Sequence, residues 1–205
     1  MKCTLCHTEL IDKIDHEYYH CTTCDGYIKD RSLWYNAEAE KKHYEHHNND
    51  IYDVGYQKFT APVTEAVLKY CSNNSLGLDY GCGKGPVITE QLKKHGYTID
   101  LFDPYFYPNH DYFEKKYDFI FSCEVFEHFY NPKEEIEKLR KLLHSKGILI
   151  IKTHLFLPEN NFKNWYYRKD QTHVFIYTFK TIEYIAKTFE FSIKHLSEKL
   201  IILEK

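Results

Sequence analysis

The sequence predicts a doubly wound α/β chain whose sheet is mostly parallel with an antiparallel C-terminal edge. A small cysteine-bearing ribbon precedes it. Three observations carry this reading. Apolar strand-like runs alternate with helix-like runs between Leu76 and Lys152. The first strand leads into a turn holding Gly81, Gly83 and Gly85. Two Cys-x2-Cys pairs, Cys3/Cys6 and Cys21/Cys24, stand near the N-terminus. The 205 residues fit one core plus a small module. We divide them into 1–30 for the ribbon, 31–58 for a helical linker leading to the site, and 59–205 for the main domain.

The ribbon is read from its thiols. Fourteen residues separate the two knuckles, and Gly26 lies just beyond the second. Four thiolates so spaced predict a closed tetrahedral zinc site at Cys3, Cys6, Cys21 and Cys24, with metal binding supplying folding energy that so short a segment lacks. Leu10-Ile11 and Tyr18-Tyr19 are the expected ribbon strands. Cys3-Thr4-Leu5-Cys6-His7 also matches the haem-attachment pattern, but a second pair tells against it. A redox pair lacks the strand that should precede it. His7 and His20 are expected beside the ligands. Cys71, Cys82 and Cys123 are scattered and read as buried thiols in a reducing compartment.

A formal net charge of −3 announces no polyanionic partner. Runs such as Ile148 to Ile151 are too short to span a bilayer, and no apolar leader follows Met1, so a cytoplasmic location is expected.

Residues 36–50 read as a polar helix carrying His43, His46 and His47 in solvent. Gly55-Tyr56 is an expected interruption. Thr60 then caps a second helix with Pro62 in its first turn. Its stripe of Val63, Ala66, Val67, Tyr70 and Cys71 should cover one sheet face.

In the alternating region, Leu76 to Tyr80 is a strand and Pro86 opens the helix Val87 to His95, closed by Gly96. Asp79 sits just inside the glycines, where a carboxylate repels a pyrophosphate and welcomes a cation. The expected ligand is therefore an adenosine compound carrying an amino group. Tyr97 to Phe102 is the next strand, and Asp103, about twenty residues past the glycines, is placed to accept from ribose hydroxyls. Tyr105 to Lys116 leaves room only for an abbreviated third strand. Tyr117 to Ser122 is a buried strand running into Cys123-Glu124-Val125-Phe126-Glu127-His128. Asn131 and Pro132 open a helix with core residues Ile136, Leu139 and Leu143, and Ile148 to Lys152 is a strand. The long connection His154 to Phe179 holds Trp165, Tyr166, Tyr167, Arg168, Asp170 and His173 and is expected to be functional. A helix at Thr181 to Phe189 and a hairpin of Phe191 to His195 with Leu200 to Leu203 close the chain.

These motifs in this order resemble a class I S-adenosylmethionine-dependent methyltransferase with a Rossmann-like sheet, over roughly residues 55 to 205. The resemblance implies that Asp79 and the Gly81, Gly83, Gly85 loop hold the methionine end of S-adenosyl-L-methionine. It also implies that Asp103 holds the ribose, and that Cys123, Glu124 and Val125 line the cofactor wall. Tyr56, Tyr80, Cys82 and Pro104 complete the expected cofactor set, with Tyr105 or Phe106 as further stacking groups. The shortened third strand departs from the family pattern, since that strand usually carries the adenine-binding acid.

Methyl transfer is an in-line displacement in which positioning dominates, with a base needed for a hydroxyl or protonated amine acceptor. His173 oriented by Asp170, or His128, is the expected base, and Arg168 belongs to the same catalytic loop. Alternatively, Glu124, Glu127 and His128, joined by His173, would hold a divalent metal that activates an acceptor hydroxyl; relatives with this spacing exist with and without metal. The expected acceptor is a small molecule methylated on O or N. An RNA or protein acceptor, a non-catalytic ribbon-based binding protein, and a hydride-transferring dinucleotide enzyme are the competing readings. Asp79 and the departure from G-x-G-x-x-G spacing weigh against the last.

Overall fold

The computed structural model describes residues 1–45 and 50–205. The chain opens with strands β1 (Tyr18–His20) and β2 (Tyr27–Lys29) and helices α1 (Ala37–Glu45) and α2 (Val54–Tyr70). The alternating region gives β3 (Leu76–Tyr80), α3 (Val87–Lys93), β4 (Thr98–Phe102), β5 (Tyr117–Cys123), α4 (Pro132–Leu142) and β6 (Leu143–Lys152). The tail supplies β7 (Phe175–Ile176), α5 (Phe179–Thr188), β8 (Ser192–Leu196) and β9 (Ile201–Glu204).

The 6-stranded sheet has the order β4-β3-β5-β6-β9-β8. Its first four strands are parallel and the last two antiparallel, as the sequence predicts. Strand side chains alternate between faces. Leu78, Tyr80, Ile120, Leu149 and Ile151 pack with Ile136 and Leu139 of α4 and Ile182 and Ile185 of α5. On the other face Phe119, Phe121, Ile148 and Ile150 pack with Val63 and Val67 of α2 and Val87, Ile88 and Leu92 of α3. With helices on both faces, the carboxyl ends of the parallel strands are the open edge, which is where such sheets hold ligands.

Four expectations change. Leu10-Ile11 forms no ribbon strand; β1 pairs with β2, and β2 in turn pairs with β7 from the long connection. Cys3, Leu5, Cys21 and Ile28 share one apolar cluster with Ile182 and Ile185. Helix α2 starts at Val54, because Asp53 Oδ1 accepts from Tyr56 N at 2.6 Å and caps it. Gly55 and Tyr56 are thus helical, and the Thr60 hydroxyl donates back to Tyr56 O at 3.1 Å instead of capping. Strand β6 begins at Leu143, shifting register against β5 before Ile148 pairs with Phe119. Between β4 and β5 there is only an Asp103–Tyr107 bridge and a 3-10 turn at Asp111–Glu114.

The predicted helix 36–50 is described over Ala37–Glu45, while His46 and His47 lie outside the described residues. His43 lies 3.6 Å from Asp170 Oδ1 and is turned toward the protein. Among the described residues no helix is long and apolar enough to cross a membrane.

Candidate active site

A cavity of about 1120 Å³ opens at the carboxyl ends of β3, β4 and β5. One wall is the glycine turn. Gly81 has φ +83°, and a Cβ there would stand 2.5 Å from Val125 Cγ2, so the backbone approaches β5's exit as only glycine permits. Gly83 also has positive φ, and its N–H donates to Asp103 Oδ2 at 3.0 Å. The other Asp103 oxygen accepts from Tyr105 N at 2.9 Å and Phe106 N at 3.0 Å. One carboxylate thereby pins the glycine loop to the turn after β4.

Among the predicted cofactor residues, Tyr56, Tyr80, Gly81, Cys82 and Gly83 line the cavity, and so do Asp103, Pro104, Cys123, Glu124 and Val125. Gly85 does not border it, and neither does Asp79. Asp79 is 4% exposed, and its Oδ2 accepts from Thr89 Oγ1 of α3 at 2.7 Å. Burial pushes its carboxyl up to about 7, against the Thr89 hydrogen bond and with help from Asp103. Its position in the strand therefore tells only part of its role: the side chain points at α3.

The opposite wall comes from the turn after β5 and from the connection between β6 and β7. His128 Nδ1 donates to Thr172 O at 3.1 Å, and His173 Nδ1 donates to Tyr167 O at 2.6 Å. A carbonyl only accepts, so each neutral ring carries its lone pair on Nε2. Those two Nε2 atoms each lie 4.0 Å from Glu127 Oε1. Burial lowers the affinity of His173 for a proton, with Asp170 working in the other direction.

Asp170 approaches His173 Nε2 only to 3.9 Å, and its Oδ1 accepts from Thr172 N and Oγ1. The orienter of His173 is thus the Tyr167 carbonyl, a correction to the expected Asp170–His173 pair. Arg168 is a second correction. It turns away from the cavity, pairs with Asp15 and Glu17 at 2.6 Å each, and lies over the Tyr18 ring at 4.7 Å.

Glu124 and Glu127, three positions apart, have different partners. Glu124 holds φ +55° and its Oε1 accepts from Lys152 Nζ at 2.6 Å. Glu127 is fully buried, with Oε2 accepting from Thr153 Oγ1 at 2.8 Å and Oε1 against the Tyr167 hydroxyl. That hydroxyl also lies 3.1 Å from Glu124 Oε2, and one phenolic proton cannot serve two carboxylates. Burial first, then the Glu124 charge, accordingly raises Glu127 well above the usual carboxylate range.

Two groups have the chemistry to hold a metal. Cys3 and Cys24 Sγ lie 3.5 Å apart, and Cys6 and Cys21 Sγ 3.4 Å. These are beyond a disulfide bond and close to the roughly 3.8 Å edge of a tetrahedron with zinc–sulfur bonds of about 2.3 Å. The second group is Glu127, His128 and His173, whose ligand atoms all lie within 4.8 Å of one another. Of the four residues expected there, Glu124 is the one held elsewhere, by Lys152.

Sequence reading missed the roof. Glu40 and Tyr44 of α1 line the cavity. Glu40 is 7% exposed and accepts from Tyr44 OH at 3.1 Å and Tyr105 OH at 2.8 Å. Phe59 of α2 also faces in, with Lys152 Nζ 3.5 Å from its ring centre. The signal was a helix of low apolar content whose inward residues are a carboxylate and a phenol, which periodicity of apolar residues cannot find.

Residues 44–196 match a family described as a methyltransferase domain. No curated protein matches the sequence. Among solved structures, a 1,6-didemethyltoxoflavin-N1-methyltransferase from Burkholderia thailandensis, with bound 1,6-didemethyltoxoflavin and S-adenosylhomocysteine, superposes with a TM-score of 0.61 at 13% identity, over 92% of this chain and 99% of that one. An O-methyltransferase family protein from the same organism gives 0.55 at 10% identity, over 74% of this chain and 57% of that one. Human N-acetylserotonin methyltransferase in complex with SAM gives 0.53 at 13%, over 73% and 53%. The chain thus spans little more than half the length of the last two and nearly all of the first.

Proposed function

The chain belongs to the methyltransferase domain family, and we propose that it uses S-adenosyl-L-methionine to methylate an oxygen or nitrogen of a small molecule. The observation that carries this is the shape of the cavity at the carboxyl ends of β3, β4 and β5. Its glycine-turn wall, with Asp103, faces a wall that presents two imidazole Nε2 atoms. At about 1120 Å³ it exceeds the range of roughly 300–1,000 Å³ usual for a single ligand, which suits a cofactor and a small acceptor side by side. Its lining is acidic, with Glu40, Asp103, Glu124, Glu134, Glu135 and Asp170 against Lys138 and Lys169. That balance disfavours a polyphosphate acceptor such as RNA.

In this reading the Gly81 to Gly83 turn and Cys123 to Val125 cradle S-adenosyl-L-methionine, Asp103 accepts from its ribose, and Pro104 with Tyr105 borders the adenine. Bound there, the cofactor supplies the electrophilic methyl group. His173, kept neutral by burial and fixed by Tyr167, takes the acceptor proton at Nε2, with His128 beside it. Calorimetry should find S-adenosylmethionine binding without NAD binding, and labelled-cofactor screening of metabolites, RNA and protein fractions should return a small molecule. With that acceptor, His173→Ala should bind cofactor normally and lose about 10²–10⁴-fold in turnover. Full turnover in both His173→Ala and His128→Ala sinks the base assignment.

The Cys3, Cys6, Cys21 and Cys24 cluster supports a structural zinc. A second reading adds a divalent metal at Glu127, His128 and His173. It is favoured by their convergence and by Nδ1–H···O=C bonds of the kind that orient metal-ligating histidines. Metal analysis of the whole chain separates the two sites. Cysteine-to-serine substitution should remove zinc, whereas Glu127→Gln should abolish the electron-paramagnetic signature of bound Mn²⁺. No Mn²⁺ binding, with activity surviving chelation that leaves the ribbon loaded, excludes the second.

A further inference from the structure

We infer that the ribbon is a built arm of the acceptor side of the site, and that Lys29 and Tyr18 are positioning residues for the His173 segment. This rests on the reading that the His173 wall faces the acceptor. Lys29 is 1% exposed, a burial that an ammonium tolerates only with good partners. Its Nζ donates to Asp170 O and Gln171 O at 3.0 Å each. Its own backbone N–H donates to Val174 O at 2.9 Å. Tyr18, fully buried, donates its hydroxyl to His173 O at 2.8 Å, and the same oxygen lies 3.3 Å from Arg168 O.

The carbonyls between Arg168 and Val174 are therefore served largely by two ribbon side chains and one ribbon amide. The segment is irregular, with no ladder of its own before β7; Asp170 O also accepts from His173 N and Thr172 O from His128, but Gln171 O, His173 O and Val174 O have their donors from the ribbon. Additional ties flank it. Arg168 reaches back to Asp15 and Glu17, and Thr178 Oγ1 donates to Asp25 Oδ2 at 2.8 Å. None of Lys29, Tyr18, Asp15 or Glu17 lines the cavity, yet the segment they hold presents Lys169, Asp170 and His173 to it. A displacement of this segment by about 1 Å would cost on the order of 10²-fold in rate. Among the described residues, the ribbon's hydrogen bonds and ion pairs reach none of β3, β4 or the glycine turn, so the cofactor wall should be indifferent.

The test compares Lys29→Met and Tyr18→Phe with wild type in the full chain. Calorimetry reads S-adenosylmethionine affinity, amide exchange reads Thr172 to Val174, and carbon-13 spectroscopy reads the His173 imidazole. The expected result is unchanged cofactor affinity, exchange at those amides about tenfold faster, and a displaced His173 signal. Lower melting temperature with wild-type exchange and an unmoved His173 signal would show a merely structural role and overturn the inference. If Lys29→Met fails to fold, Tyr18→Phe, which removes one oxygen, carries the same readouts. The base assignment is tested apart: a fully active His173→Gln with the signal still displaced in Tyr18→Phe unseats the base and keeps the tether.

Discussion

The carboxyl of Asp79 is almost out of reach of solvent and meets Thr89 Oγ1 at 2.7 Å. Its folded-state value is raised to about 7, whereas an unfolded Asp titrates near 3.9. The sign follows from proton counts. Between those values the folded chain holds a proton that the unfolded chain has lost, so stability falls as pH rises and the full penalty is present above about 7. Three units correspond to on the order of 4 kcal/mol. Asp79→Asn, which keeps an acceptor for Thr89, should flatten this dependence. Denaturant midpoints from pH 4 to 8 (about one reading per half unit) should show the wild type losing ground to the variant as pH rises. Parallel pH profiles would mean that Asp79 is ionised in the folded chain. A cation in the neighbouring cavity should favour the ionised form, so S-adenosylmethionine binding near pH 6 should release protons, measured by calorimetry in two buffers.

At the scale of elements, the glycine turn is the joint between strand and site. Gly81→Ala meets two obstacles, a φ of +83° and Val125 side-chain carbon at 2.5 Å. Gly96 has a similar φ of +82°, but its added Cβ would find only Asn73 Nδ2 at 3.7 Å. Both substitutions should cost about 1–2 kcal/mol in left-handed backbone strain. Only Gly81→Ala should also weaken S-adenosylmethionine binding, by tenfold or more (about 1.4 kcal/mol), as read by calorimetry. Equal affinities in the two variants would detach the turn from the cofactor.

This turn was legible in the sequence because strand alternation, three glycines and Pro86 are local signals. The same holds for β5 and for α4 behind Asn131 and Pro132. What escaped was set by partners distant in sequence. Nothing local says that Arg168 will find Asp15 and Glu17, that His128 will meet Thr172 O, or that β2 will pair with β7. The start of α2 was misplaced for a local reason: the Asp53 cap outweighs the helix-breaking tendency of Gly55.

At the scale of the whole molecule, the question is whether residues 1–30 are a module or part of one cooperative unit. Cys3, Leu5, Leu10, Cys21, Cys24 and Ile28 belong to the same apolar cluster as α4 and α5, and β2 extends into the three-stranded sheet through β7. Segments that share buried surface unfold together, whereas an appended module melts on its own. Metal bound only by the folded thiol cluster should therefore stabilise the entire chain through mass action. Thermal unfolding of the zinc-loaded protein should show one transition, followed identically by ellipticity and by release of zinc to a chromogenic chelator. Cys21→Ser should shift that single transition downward and should accelerate amide exchange in α5 as well as in the ribbon. Zinc release well below the main transition, with α5 protection unchanged, would instead make the first thirty residues an independent module and return the boundary to where the cysteine spacing places it.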